Sequence, residues 1–123
     1  MAKNGSFSAY SIDRAKKAIA YIDFHYKEPL SAETIAEEFA IDTRNLQLLI
    51  QLLTGKTLHD YHIEVRIEKS KKDLALFDIP LKGVAASHGF SSANHFIRTF
   101  KKKTGLTPGQ YRLQLVDPVN LLK

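Results

Sequence analysis

The sequence predicts an all-α fold: two helix-turn-helix subdomains joined by a long linker helix, about seven helices in all. Three observations predict it. Apolar residues recur at three- and four-residue steps along most of the chain, and no stretch keeps a period-2 alternation long enough for a strand. The chain also repeats itself. Leu30-Ser-Ala-Glu-Thr-Ile-Ala-Glu-Glu-Phe-Ala-Ile-Asp-Thr-Arg-Asn-Leu46 is echoed by Ile79-Pro-Leu-Lys-Gly-Val-Ala-Ala-Ser-His-Gly-Phe-Ser-Ser-Ala-Asn-His-Phe96, and Thr54-Gly-Lys-Thr-Leu-His-Asp-Tyr61 by Thr104-Gly-Leu-Thr-Pro-Gly-Gln-Tyr111. The offset is 49 residues from Leu30 to Asp42 and 50 from Leu46 onward, so two units of one design are expected, with one slipped residue between.

Ile12, Ala15, Ile19, Ile22 and Tyr26 mark the first helix, with Ser11 as its expected N-cap and Asp13 in the first turn, where a carboxylate suits the helix dipole. Pro29 prevents its continuation. Ser31 caps a second helix that buries Ile35, Ala36 and Phe39, and Ala40-Ile41 makes a turn. Asp42 caps the third, with an inward stripe of Leu46, Leu49, Ile50 and Leu53 ended by Gly55. Thr57 and Asp60 have capping-box spacing and open a long helix with Ile63, Ile67, Ser70 and Leu74 on one face. On its outer side, Glu68 and Lys72 are spaced for an i,i+4 pair worth ~0.3 kcal/mol. In the second copy, Pro80 suits the first turn of a helix burying Leu81, Val84 and Ala85. Gly89-Phe90 makes the turn, and Ser91 is the expected cap of a helix with Phe96 and Phe100 inward and Gly105 at its end. Thr107 and Gln110 form a second capping box, with Pro108 at its first helical position, and Tyr61 and Tyr111 take matching places as packing anchors. The expected divisions are a first subdomain at 10–62, a linker helix at 63–78 starting near 58, a second subdomain at 79–115, and flexible ends at 1–9 and 116–123.

The 123 residues suit one compact domain or two very small ones, and a 44% hydrophobic share excludes wholesale disorder. No apolar run is long enough to span a membrane. The start lacks an apolar h-region and Cys is absent, which fits a cytoplasmic protein without disulfides or thiolate metal sites. The net charge of +5 is unevenly spread. Residues 1–62 hold 7 Lys/Arg and 8 Asp/Glu, a net of −1, while residues 63–123 hold 11 and 5, a net of +6. A polyanion would feel the second half most.

A short helix, a tight turn with a small residue, and a second helix make a helix-turn-helix unit, whose second helix can enter a major groove while the first braces it. The run Gly89-Phe-Ser-Ser-Ala-Asn-His-Phe-Ile-Arg-Thr-Phe-Lys-Lys-Lys-Thr-Gly-Leu-Thr-Pro-Gly-Gln-Tyr-Arg112 resembles the C-terminal signature of the AraC/XylS family of bacterial transcription regulators. Gly-Phe-Ser, the later Phe, Arg-x-Phe-Lys, Thr-Gly-x-Thr-Pro and the final Tyr-Arg match together. Arg66 with the amphipathic stretch after it also resembles that family's linker helix, so the likeness covers about residues 10–115. It implies a homeodomain-like, AraC-type arrangement and a monomeric DNA-binding domain placing two recognition helices in successive major grooves. Most members carry a separate effector-binding or dimerisation domain, for which this chain has no room. The resemblance therefore implies either a short stand-alone member or the DNA-binding fragment of a longer regulator.

Physical chemistry gives the same residues roles. Ser92, Ala93, Asn94 and His95 lie in the first turn of the second reading helix. There Asn94 can pair bidentately with adenine and Ala93 can meet a thymine methyl. Arg98, one turn on, reaches a guanine or a phosphate. Lys101, Lys102 and Lys103 neutralise phosphates, and Lys82 adds a contact from the bracing helix. In the first unit Thr43, Arg44, Asn45 and Gln47 take the reading positions. Leu48, Gln51 and Leu52 stand where the second copy has Arg98, Lys101 and Lys102, so a weaker phosphate grip is expected. Leu48 and Leu52 are expected under neighbouring helices, the alternative being an apolar patch that makes this scaffold a protein-interaction module. Ala40 replaces Gly89, at a cost on the order of 1 kcal/mol if that corner needs a positive φ.

No enzyme, cofactor or metal site is expected. His59 and His62 lack a third ligand, Ser87-His88 is not a nucleophile with its base, and no P-loop, dinucleotide or Gly-x-Ser-x-Gly motif occurs. Glu33, Glu37 and Glu38 make the first bracing helix acidic, a solvated face that is also a candidate contact for RNA polymerase.

Overall fold

The structure, a computed structural model, describes residues 7–116. Seven helices follow in chain order: α1 (Ala9–Phe24), α2 (Ala32–Glu38), α3 (Thr43–Thr54), α4 (Leu58–Leu74), α5 (Leu81–Ser87), α6 (Ala93–Thr104) and α7 (Pro108–Val116). Among the described residues there is no strand. The chain forms two compact units, Met1–Ile63 and Glu64–Lys123, with the division inside α4. Of the ends expected to be flexible, residues 1–6 and 117–123 lie outside the described residues.

The first unit closes around Ala15, Ala18 and Ile22 of α1, Ile35 and Ala36 of α2, and Leu46, Leu49 and Ile50 of α3, with Leu58 at the start of α4. These positions are the apolar stripes of the sequence, with two corrections. Helix α1 starts before Ser11: Ser8 is the N-cap, its Oγ accepting from the Ser11 N–H at 3.1 Å, and Phe7 packs against the core. A serine three residues upstream competes for the same capping role, and spacing alone does not choose between them. Leu53 is exposed, because the last turn of α3 runs past the core that covers Leu46 and Ile50. Two polar contacts tie α4 into this unit: the Tyr61 hydroxyl donates to Asp23 Oδ1 at 2.6 Å, and His62 Nε2 lies 2.7 Å from the Tyr26 carbonyl.

The second unit buries Ile67 and Leu74 of α4, Val84 and Ala85 of α5, Phe90 in the turn, and Phe96 and Phe100 of α6. An aromatic run links them: Phe90 to Phe96 at 4.9 Å, Phe96 to Phe100 at 5.7 Å and Phe100 to Tyr111 at 5.5 Å between ring centroids. Tyr111 therefore packs as an aromatic, while its counterpart Tyr61 also spends its hydroxyl on a carboxylate. Arg112 of α7 holds the end of α4, donating from Nε to the Leu74 carbonyl at 2.9 Å and from Nη2 to the Leu76 carbonyl at 3.1 Å. The Leu74 carbonyl is one that a helix C-terminus leaves without a helical partner, while the Leu76 carbonyl, just past the helix, also accepts from the Ile79 N–H at 3.2 Å. His88 Nε2 lies 2.8 Å from Asp73 Oδ2. Arg66 is buried, and that burial pulls its guanidinium below the ordinary arginine range.

Three local expectations change. Glu68 pairs with Lys71 at 2.7 Å, one residue closer in sequence than the expected Lys72. Pro80 is the N-cap residue of α5, not its first helical residue, and makes no side-chain cap bond. Ser92, not Ser91, caps α6, its Oγ accepting from the His95 N–H at 3.0 Å.

The last correction locates the slip in the repeat. The Ile41 N–H donates to the Ala36 carbonyl at 3.0 Å and the Phe90 N–H to the Ala85 carbonyl at 3.1 Å, in the first register. The caps Asp42 and Ser92 already obey the second. Ser91 is the extra residue, in the turn between α5 and α6. From there the copies match bond for bond: Thr54 Oγ1 donates to the Ile50 carbonyl at 2.6 Å, and Thr104 Oγ1 to the Phe100 carbonyl at 2.8 Å. Both helices end on a left-handed glycine, Gly55 at φ 77° and Gly105 at φ 87°.

Candidate nucleic-acid interface

Helix α6 is amphipathic because Phe96 and Phe100 sit four apart and go inward, which turns Asn94, Arg98, Lys101 and Lys102 to solvent. Lys103 is exposed too, but about 100° round the helix from Lys102, where it lines a cleft with Glu64, Glu68 and Tyr111. Arg98, Lys101 and Lys102 meet no carboxylate among the described residues, so their charge is free for an anion. At the amino end Ala93 is half-buried and Asn94 exposed. Ser92 is exposed, but its oxygen is engaged in the cap. His95 is half-buried: its Nδ1 lies 3.3 Å from Ser91 Oγ and its ring stands edge-on to Phe90 at 5.6 Å. Lys82 is exposed in the first turn of α5. Lys82, Ser91, Ser92 and Ala93 share the lining of a shallow cleft of about 310 Å³ with Phe90, which places the bracing lysine beside the first turn of α6.

Helix α3 presents the same face with different chemistry. Arg44 and Gln47 are exposed, and Thr43 and Asn45 half-buried; the Asn45 N–H donates to Asp42 Oδ2 at 3.2 Å. Leu48, at the Arg98 position, is 46% exposed and Leu52, at the Lys102 position, 69%, so neighbouring helices do not cover them as expected. The inward side of α3 is already filled by Leu46, Leu49 and Ile50, and the 3.6-residue turn puts Leu48 and Leu52 on the opposite arc. Gln51 is exposed between them. Arg44 is the sole cation of α3. On the bracing helix, Glu33, Glu37 and Glu38 all face solvent. Ile97 is a residue the sequence reading passed over. It is half-buried at the edge of the outward arc of α6, at the position Gln47 holds in the repeat, and an apolar residue at that spacing looks like core.

His62 spends its Nε2 on the Tyr26 carbonyl, and among the described residues no three His, Cys, Asp or Glu side chains gather in a way that could hold a metal ion. No helix among them is long and apolar enough to cross a membrane.

A family profile described as a helix-turn-helix domain matches residues 35–114. The fold superposes on an AraC-type DNA-binding-domain regulator from Chromobacterium violaceum with a TM-score of 0.79 at 26% identity, over 90% of this chain and 99% of that one. The chain belongs to the AraC/XylS family. A relative within the AraC/XylS family, the transcriptional activator RhaS of Escherichia fergusonii, is 32% identical over 99 residues, 80% of this chain and 36% of that protein. The regulator YijO of Escherichia coli K12 is 35% identical over 94 residues, 76% of this chain and 33% of its own length. This chain thus spans about a third of either relative. The DNA-binding domain of AdpA, solved in complex with a target DNA, shares the fold at a TM-score of 0.76 and 23% identity, over 85% of this chain and 96% of that one. AraC/XylS proteins are transcription regulators, which is not an enzyme class.

Proposed function

We propose that this chain binds double-stranded DNA sequence-specifically and regulates transcription, with α3 and α6 reading two successive major grooves and α6 as the main anchor. The observation that carries this reading is the outward face of α6. Asn94 stands at its amino end, where side chains reach base edges, and Arg98, Lys101 and Lys102 follow on one arc with no acidic partner among the described residues. Cations in that row neutralise phosphates and fix register, while Asn94 and Arg98 carry sequence information. In the first unit Arg44, Gln47, Thr43 and Asn45 hold the reading positions with a weaker phosphate grip. One copy of the chain carries both reading helices, which supports binding as a monomer. The exposed carboxylates of α2 repel phosphate and support a second, protein contact there, with RNA polymerase as the partner. A DNA-binding role of this kind supports a location in the bacterial cytoplasm. Selection of bound duplexes from a random-sequence pool tests the reading: an enriched motif is expected, and recovery of unbiased sequence refutes it.

A further inference from the structure

The exposed leucines of α3 interrupt a face that is otherwise polar. Arg44, Gln47, Leu48, Gln51 and Leu52 are all exposed, and at 100° per residue they fall within an arc of roughly 140° opposite the buried stripe. Leu48 lies on that arc between Arg44 and Leu52. The matching caps, threonine bonds and terminal glycines put it at the same backbone position as Arg98 on α6. A surface meant for water would not need leucine there, and a surface meant for phosphate would carry a cation.

Building on the DNA-binding reading above, we infer that Leu48, extended by Leu52, reads thymine C5-methyl groups, so that the first unit selects a thymine-bearing half-site by apolar contact. The major-groove edge of a base pair offers hydrogen-bond donors and acceptors and one apolar feature, the thymine methyl. Arg44, Gln47 and Gln51 lie to one side of Leu48 with side chains suited to the polar positions, Leu52 lies to the other, and Leu48 matches the apolar feature. A protein partner fits this face less well. Specific interfaces cover about 800 Å² on each partner, and two leucines set among an arginine and two glutamines do not make an apolar patch of that size. The two units then discriminate by different chemistry: α6 by hydrogen bonds and charge, α3 by methyl burial framed by amide and guanidinium groups.

The test uses the whole chain and a duplex carrying the motif enriched by selection. The α3 half is the half whose base preferences relax in the Arg44→Ala/Gln47→Ala variant. Each thymine there is then replaced by deoxyuracil, which removes the methyl and keeps every hydrogen-bonding group. Wild-type protein is expected to lose about 4-fold in affinity per contacted methyl, the effect of exposing one buried carbon. Leu48→Ala is expected to bind thymine and deoxyuracil duplexes alike, at the wild-type protein's deoxyuracil level. Wild-type indifference to deoxyuracil at every thymine of the whole duplex overturns the inference, and needs no variant to fold. So does a Leu48→Ala protein that still discriminates, or a selected motif with no α3 half. In each of those cases an enriched motif still stands for DNA binding itself, whereas a pool with no enrichment removes the underlying reading.

Discussion

Ala40 holds its backbone at φ 53°, the one non-glycine residue with positive φ among those described. It turns the chain from α2 into α3, where the second unit has Gly89 at φ 86°. A side chain in the left-handed region costs roughly 1–2 kcal/mol, and glycine recovers part of this against its greater freedom in the unfolded chain. Ala40→Gly is therefore expected to stabilise the protein by about 0.5–1 kcal/mol in chemical denaturation. The reverse change at the end of α6, Gly105→Ala at φ 87°, is expected to destabilise by about 1 kcal/mol; a Cβ there meets nothing within 4 Å, so the cost is backbone strain alone. Single side chains also set specificity. If Arg98 reads a guanine, Arg98→Ala should weaken binding to the selected duplex by about 1–3 kcal/mol and relax preference at one position. A uniform loss across all sequences would make Arg98 a phosphate contact.

Helices α3 and α6 show how much an element's ends decide. Both start on an oxygen-bearing cap, Asp42 or Ser92, and both close with a threonine bonded back into the last turn before a left-handed glycine. Ser92→Ala is expected to cost about 1 kcal/mol of stability, and Ser91→Ala less than about 0.5 kcal/mol, by denaturant titration of each variant. Equal losses would contradict the cap assignment. The helices, their inward stripes and the glycine ends were legible from spacing, because burial of an amphipathic face is written in residue order. The caps of α1 and α6 were not, since two serines stood within reach of each start and only backbone geometry chooses between them. The outward path of Leu48 and Leu52 was hidden for another reason. Leucine at helical spacing usually marks a core, and only a core already filled by Leu46, Leu49 and Ile50 turns them to solvent. Arg112 was visible as part of a motif, while its bonds to the Leu74 and Leu76 carbonyls depend on α7 folding back onto the end of α4, far away in sequence.

Across the whole molecule the charge follows the repeat: a net of −1 over residues 1–62 and +6 over residues 63–123. Two units of one backbone design thus differ in charge: α6 carries Arg98, Lys101, Lys102 and Lys103, and α3 carries Arg44 alone. Relatives such as RhaS and YijO extend well beyond the region matched by this chain. The inequality of the two units is nevertheless a property of the chain itself. It is tested most directly by the salt dependence of binding to the selected duplex, for wild type, Lys101→Gln/Lys102→Gln/Lys103→Gln and Arg44→Gln. Each neutralised phosphate adds about 0.9 to the slope of log K against log[salt]. The triple variant is expected to flatten that slope by roughly 2–3, and Arg44→Gln by no more than about 0.9. A triple variant with the wild-type slope, or an Arg44→Gln change that flattens it as much, would contradict α6 as the anchor.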